Sequence, residues 1–409
     1  MSASSTSAPA ALAPSQATSL SHPGLPPSLV VLLATGAGLG AATLYFSQPL
    51  LGLMADGLGS TATQVGVVPT LTQLGYALGI LLLAPLGDRL DRRMLIGAKA
   101  AGLALALGLC ALAPGVHALW VAALVAGVLA TLAQDIVPAA ATLAPDAQRG
   151  RVVGQVMTGL LLGILLSRVF SGLVGQWAGW RAVYVLGALL VAAIGAVCVR
   201  GLPRMAPVTA LGYGALMASL WSLWRKHRDL RLAVWTQGLI SVAFSAFWST
   251  LAIVLQQRFG MGSAMAGAFG LAGVVGALGA PWAGRWSDRW GPLRVVRAGA
   301  ATVALSFVLL ALGEPLPMAW QLGLMVLVTV TFDFGVQVAL VGHQTLVYRL
   351  EPAARSRLNA LLLTGMFIGM ALGSAVGSQA LAHWGGLGVA GLCAAASAGA
   401  WLLRVASRG

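Results

Sequence analysis

Charge is what this sequence has least of. Ten of its 409 residues are Asp or Glu and 24 are Lys or Arg, 8% in all, against roughly a quarter in an ordinary globular protein. So little solvating surface excludes the two or three soluble domains that the length alone suggests. The net charge of +14 does not point to nucleic acid, because the bases are not gathered on one solvated face. They sit in short clusters between apolar runs, as membrane-flanking charge does. Cysteine is scarce as well: Cys110, Cys198 and Cys393 each lie inside an apolar run without ligand spacing and read as packing residues. There is no HExxH, no phosphate-cradling GxxxxGK and no strand–helix nucleophile elbow. His22, His117, His227, His343 and His383 are scattered. An enzyme, a nucleotide-driven pump, a metal centre and a cofactor all lack their sequence basis.

What is abundant is apolar length, with 58% hydrophobic residues. A helix needs about 20 of them to cross the hydrocarbon core. Run 57–87 supplies one such span; run 100–134 is too long for one and breaks at Ala113-Pro114-Gly115, and run 358–403 breaks at Trp384-Gly385-Gly386. Spans 1 to 12 are expected at 29–54, 63–86, 94–113, 118–143, 152–177, 181–199, 232–256, 263–283, 294–312, 318–346, 358–382 and 386–403. Residues 1–27, rich in Ser, Ala and Pro and free of acid and base, read as a disordered tail without the basic start of a signal peptide. With the N-terminus inside, the inner loops hold 21 of the 24 Lys and Arg, Lys99 among them. Arg181 and Arg258 fall outside, and Arg168 falls within span 5. This asymmetry predicts that both termini are cytoplasmic.

Two stretches repeat. Ala84-Pro85-Leu86-Gly87-Asp88-Arg89-Leu90-Asp91-Arg92-Arg93 follows span 2, and Gly284-Arg285-Trp286-Ser287-Asp288-Arg289-Trp290-Gly291 follows span 8, 200 positions later. At a shift of 206, Arg149-Gly150-Arg151 falls on Arg355-Ser356-Arg357, Thr158-Gly159 on Thr364-Gly365, Gly163 on Gly369 and Gly179 on Gly385. The chain therefore divides into a tail (1–27), a six-helix bundle (28–199), a linker (200–231), a second six-helix bundle (232–404) and a short end (405–409). Within the linker, Leu211, Leu216, Leu220, Leu223 and Trp224 followed by Arg225-Lys226-His227-Arg228 predict a surface-lying amphipathic helix with a basic end. The fold class is all-α integral membrane protein, twelve transmembrane helices in two pseudo-symmetric bundles.

Six plus six helices with this charged turn after spans 2 and 8 resemble the major facilitator superfamily over residues 28–404. The first turn is similar to the family's Gly-x-x-x-Asp-Arg-x-Gly-Arg-Arg signature. Asp88, Arg89, Arg92 and Arg93 match, while Ala84 and Asp91 replace its glycines. The second copy keeps Gly284, Asp288, Arg289 and Gly291, with Pro292 and Leu293 where bases are common. The resemblance implies a cytoplasmic gate in which Asp88 meets the positive N-terminus of span 11 while that side is closed. Span 5 resembles the family's antiporter signature at Gly154, Gly163 and Gly172, but Ser167, Arg168 and Ser171 replace Gly, Pro and Gly.

Arg168 stands out. It lies 17 residues, about 25 Å, along its helix from Arg151, at a depth where an arginine costs about 2.5–3.5 kcal/mol or more unless it has a partner. Asp135 in span 4 and Asp333 in span 10 are the two membrane carboxylates that could serve, and Asp135, Arg168 and Asp333 are the proton-coupling candidates. Family resemblance implies a cavity between spans 1, 4, 7 and 10. Tyr45 and Gln48 on span 1, Gln237, Ser241, Phe244 and Trp248 on span 7, and Thr329, Asp333 and Gln337 on span 10 share faces at helical spacing. Gln73 and Tyr76 on span 2 add to them. The resulting expectation is a multi-pass transporter of a bacterial-type inner membrane, functional as a monomer, its partners being lipid bilayer, small-molecule substrate and protons. Export of a drug-like compound or metabolite in exchange for protons is the first reading. Proton-coupled uptake, or a non-transporting sensor, are the alternatives.

Overall fold

In hydrocarbon every backbone N–H and C=O must be satisfied within the segment, so apolar runs of this length form helices. The computed structural model describes residues 25–145, 148–207, 209, 212–277 and 279–407. Among them are eleven helices long and apolar enough to cross a membrane: Pro27–Leu58, Ala62–Asp88, Arg92–Ala111, Val116–Leu143, Arg149–Ala178, Trp180–Gly201, Arg228–Phe259, Ser263–Trp290, Pro292–Leu312, Met318–Leu350 and Arg355–Ala406. The last is two spans. Gly385 at φ 63°, ψ −158° breaks it, a backbone state that residues with a Cβ rarely adopt. Twelve spans result, with ends close to those the apolar runs predict. The tail up to residue 24, Leu211 and Arg408 lie outside the described residues.

Spans 1–6 and 7–12 form two bundles, each around its own apolar core. In lipid no hydrophobic drive pulls helices together, so close backbone approach has to. The same device serves both halves. A Cβ added at Gly163 of span 5 would strike the backbone of Gly38 in span 1, and one at Gly369 of span 11 the backbone of Gly238 in span 7. Gly163 and Gly369 are the pair that the 206-residue shift superimposes. Gly172 of the antiporter-like pattern packs on Gly267 of span 8, whereas Gly154 faces open space.

Among the described residues two spans are interrupted near mid-depth. Short 3-10 turns at Thr43–Tyr45 and Gln48–Leu50 break span 1; span 4 is made of Val116–Leu129 and Leu132–Leu143. Interrupted helices free backbone groups and re-aim side chains where a membrane protein handles polar cargo.

Between the halves, span 2 packs along span 11 and span 5 along span 8. On the face away from the basic loops the seam is bonded shut. Ser263 Oγ donates to Gly172 O (3.0 Å), Ala264 N to Gln176 Oε1 (2.9 Å) and Ser374 Oγ to Gly66 O (3.2 Å). Nearer mid-depth, Ser245 Oγ donates to Gln73 Oε1 (3.0 Å). On the basic face the halves part around a cavity of about 700 Å³.

A helix at Tyr213–Lys226 lies in the linker, with Leu216, Leu220 and Leu223 buried and Trp221 exposed. It does more than lie on the surface: Leu216 and Leu220 line the cavity mouth. The strand of chain before it is bonded to the first charged turn, through Met205 N to Asp91 Oδ1 (3.1 Å) and Thr209 N to Asp88 O (3.1 Å). Tyr213 at its start donates to Leu82 O (2.9 Å). Its far end reaches the other half, where Lys226 Nζ lies 2.8 Å and His227 Nε2 3.3 Å from Glu351.

Candidate substrate cavity and buried charges

The cavity narrows from a polar mouth to an apolar roof. Asp88 and Arg92 of the first charged turn stand on one side of the mouth; Ser356, Arg357 and Asn359 at the start of span 11 stand on the other. The closed gate, with Asp88 against span 11, is therefore not formed in this state. Asp88 pairs instead with Arg92 in its own turn (2.8 Å), and Arg92 Nε donates to Gly87 O (2.8 Å). Asp91, where the family signature has glycine, caps span 3 by accepting from Arg93 N (3.0 Å). In the second copy Gly291 makes the turn at φ 84°, so two chemistries close one bend. Arg289 lies over Trp290 (5.9 Å), and Gly284 faces open space.

Asp135 lines the cavity where span 4 resumes after its break, in the first turn of Leu132–Leu143, a position whose free N–H groups favour a carboxylate. Its partner is Lys99 Nζ at 2.5 Å, with both side chains only 2–3% exposed. This corrects the assignment of Lys99 to the inner-loop charge. It sits seven residues inside span 3, in the turn facing span 4. It also removes Asp135 as the partner of Arg168. A depth argument could have found the pair: Lys99 is seven residues from the basic-face end of span 3 and Asp135 eight from that of span 4, about 10–12 Å in each case.

The roof of the cavity is aromatic. Tyr45, Tyr76, Phe244 and Phe367 line it together with Ser241, Gln134 and Gln337. Gln134, which the sequence reading passed over, donates to the Tyr76 hydroxyl (3.1 Å), and the Tyr76 and Phe367 rings lie 4.4 Å apart. Of the residues assigned to the cavity from sequence, Tyr45, Tyr76, Ser241, Phe244 and Gln337 reach it. Gln48, Gln73, Gln237, Trp248 and Thr329 do not. Each of these five has another engagement. Gln73 holds Ser245 across the seam, Gln237 Oε1 lies 2.9 Å from His343 Nδ1, and the Thr329 hydroxyl bonds the Met325 carbonyl (2.7 Å).

Arg168, Trp248 and Asp333 lie behind that roof, between the cavity and the shut face. Arg168 Nε donates to Gln48 Oε1 (2.9 Å), and its guanidinium stacks over Trp248 (4.1 Å), Tyr45 (4.7 Å) and Phe244 (5.8 Å). Such cation–π contacts are each worth about 0.5–2 kcal/mol when desolvated. Among the described residues no carboxylate lies within ion-pair distance of Arg168. Asp333, 7% exposed, accepts one long bond from Trp248 Nε1 (3.4 Å). Of the two carboxylates that could serve Arg168, Asp135 is taken by Lys99 and Asp333 shares with Arg168 a contact to the Trp248 indole.

At the loop before span 11, hydrogen bonds from Lys226 and His227 hold the Glu351 carboxyl below the usual carboxylate range. Among the described residues no group of three His, Cys, Asp or Glu could hold a metal.

The sequence profile described as Major Facilitator Superfamily matches residues 31–347. The uncharacterized transporter YgaY of Escherichia coli O157:H7 is 37% identical over 366 residues, covering 89% of this chain and 92% of that one. A protein named as a probable transporter in Streptomyces coelicolor is 36% identical over 379 residues, covering 91% and 84%. Among solved structures, the nucleoside transporter NupG superposes with a TM-score of 0.76 at 15% identity, covering 93% of this chain and all of that one; at that identity the likeness is one of fold.

Proposed function

The chain belongs to the Major Facilitator Superfamily and is a multi-pass membrane transporter, and from that premise we propose that it exports a neutral, partly apolar organic molecule in exchange for protons. The observation that carries the reading is the character of the cavity: an apolar and aromatic roof set with amides and hydroxyls, and a single buried acid already neutralised by Lys99. A charged ligand at such a roof would lose its hydration without gaining a counter-ion. A neutral molecule with one or two hydrogen-bonding groups fits it. Such molecules enter cells by permeation, so work spent on them is useful outward. With the basic face taken as cytoplasmic, this is the inward-open state of an alternating-access cycle.

Of the two candidate carriers, Asp333 is favoured over Asp135. Asp135 is already engaged by Lys99 at 2.5 Å. Asp333 is buried without a cation in contact, the setting in which a carboxyl holds a proton until a cation arrives. The test starts with a ligand-dependent melting screen of the purified protein, followed by transport of the hits into inverted vesicles under an imposed pH gradient. Wild-type protein should accumulate the hit when the interior is acidic, and Asp333→Asn should lose the dependence on the gradient. Gradient-driven accumulation that survives Asp333→Asn removes Asp333 as carrier. Accumulation only with the opposite gradient turns the reading from export to uptake.

A further inference from the structure

The cluster behind the cavity roof holds an unsettled arrangement. Arg168 is 2% exposed, one terminal nitrogen of its guanidinium has no hydrogen-bond partner among the described residues, and aromatic faces surround it where an acid is expected. Asp333 has a single long hydrogen bond. A buried guanidinium and a buried carboxyl so close would ordinarily pair, since each lowers the cost of burying the other.

Trp248 touches both. Its ring face receives the guanidinium while its N–H edge points at the carboxyl, the two poles of one indole turned to opposite charges. Span 8 shows how short the remaining path is. A Cβ on Gly270 would lie 3.1 Å from Arg168 Cβ and 3.7 Å from its Cδ; a Cβ on Gly273 would lie 2.5 Å from Asp333 Oδ2 and 3.3 Å from Trp248 Cζ2. Positions 270 and 273 are one helical turn apart, about 4.5 Å along the axis. Both are glycine, so no side chain of span 8 obstructs movement from one to the other. Tyr45 and Phe244 supply a trigger, since they touch Arg168 on one side and the cavity on the other.

We propose that Trp248 is a positioning residue, keeping Arg168 off Asp333 until substrate presses on Tyr45 and Phe244 and frees Arg168 to pair with Asp333, whose proton leaves. This rests on the proton-coupled reading of Asp333. The step breaks one O–H bond on Asp333 and passes the proton to solvent; the carboxylate formed is held by the guanidinium. Substrate and proton then compete for one arrangement of side chains, which is exchange rather than co-transport. Facing Asp333 are Tyr45 from span 1 and Arg168 from span 5. Span 7 brings Trp248 and span 8 brings Gly273 and Gly276, so among the described residues Arg168 is the cation available to it.

Infrared difference spectroscopy of the purified full-length protein tests this without a known substrate. The carboxylic acid C=O band of Asp333 is the wild-type band absent from Asp333→Asn. Trp248→Leu, which removes the separator, should lose that band at neutral pH, and adding Arg168→Gln should restore it. Trp248→Phe keeps a ring for Arg168 and removes the N–H donor, so the band should persist but shift. A folded Trp248→Leu protein with the band intact overturns the proposal. So does a loss that Arg168→Gln fails to reverse, or a band that Trp248→Phe leaves unmoved. A wild type with no Asp333 acid band sinks the proton-carrier reading itself, and this inference with it.

Discussion

Replacing Lys99 by methionine keeps the length of the side chain and removes its charge, leaving the Asp135 carboxylate alone in the wall between spans 3 and 4. The cost can be worked from the geometry. Two unit charges 2.5 Å apart attract by about 7 kcal/mol at an effective dielectric of about 20. Much of that is offset by the desolvation of both ions, so the pair adds little over a well-packed apolar pair. Removing one partner is another matter, because the other stays buried; breaking such a pair costs about 3–5 kcal/mol. With both side chains only 2–3% exposed, solvent screening gives no discount. Thermal or denaturant unfolding in detergent should therefore show Lys99→Met and Asp135→Leu each strongly destabilised. The double variant Lys99→Met/Asp135→Leu should recover most of the loss, with a coupling energy of at least about 2 kcal/mol in the double-mutant cycle. Additive single effects, or a Lys99→Met protein within about 0.5 kcal/mol of wild type, would refute the assignment of Lys99 to a buried pair.

The glycine contacts make a paired prediction. Gly163→Val and Gly369→Val should each cost about 1–3 kcal/mol through overpacking, since the added Cβ meets the backbone of Gly38 or Gly238, while Gly154→Ala, facing open space, should be neutral or gain up to about 1 kcal/mol of helix propensity; unfolding curves of the three variants decide. A pH effect follows from Glu351. Its carboxyl is held below the ordinary range in the folded state, so the tether to Lys226 and His227 is complete above the unfolded value, about 4.3, and is lost as pH falls through the lower, folded one. Spin labels on the linker helix and the loop before span 11 should show a fixed distance at neutral pH that broadens on acidification, and Glu351→Gln should reproduce the broad distribution at neutral pH.

The spans were legible because crossing a membrane depends on apolar length, which is written along one dimension. The repeat of the charged turn was legible for a related reason: its residues are contiguous. What escaped depends on two spans at once. Lys99 read as loop charge because it lies near a span end, and only the matching depth of Asp135 on the neighbouring helix gives it a partner. The stripe Gln237, Ser241, Phe244, Trp248 was read as one cavity face. Its ends were claimed by His343 and by the Arg168–Asp333 cluster, which leaves the two middle residues to the cavity. Which side of the roof a side chain occupies depends on the conformational state, and periodicity carries no information about state.

The linker helix carries a consequence for the membrane around the protein. Leu216 and Leu220 are buried at the cavity mouth. In an alternating-access cycle, closing that mouth would leave the two side chains to find another apolar neighbour or be hydrated, at about 1.5–3 kcal/mol each. The neighbour at hand is the lipid interface, and Trp221 is already exposed beside it. The balance between the two states is then partly a partition equilibrium of one short helix. The thickness and packing of the surrounding bilayer accordingly become a control on how fast the transporter turns over.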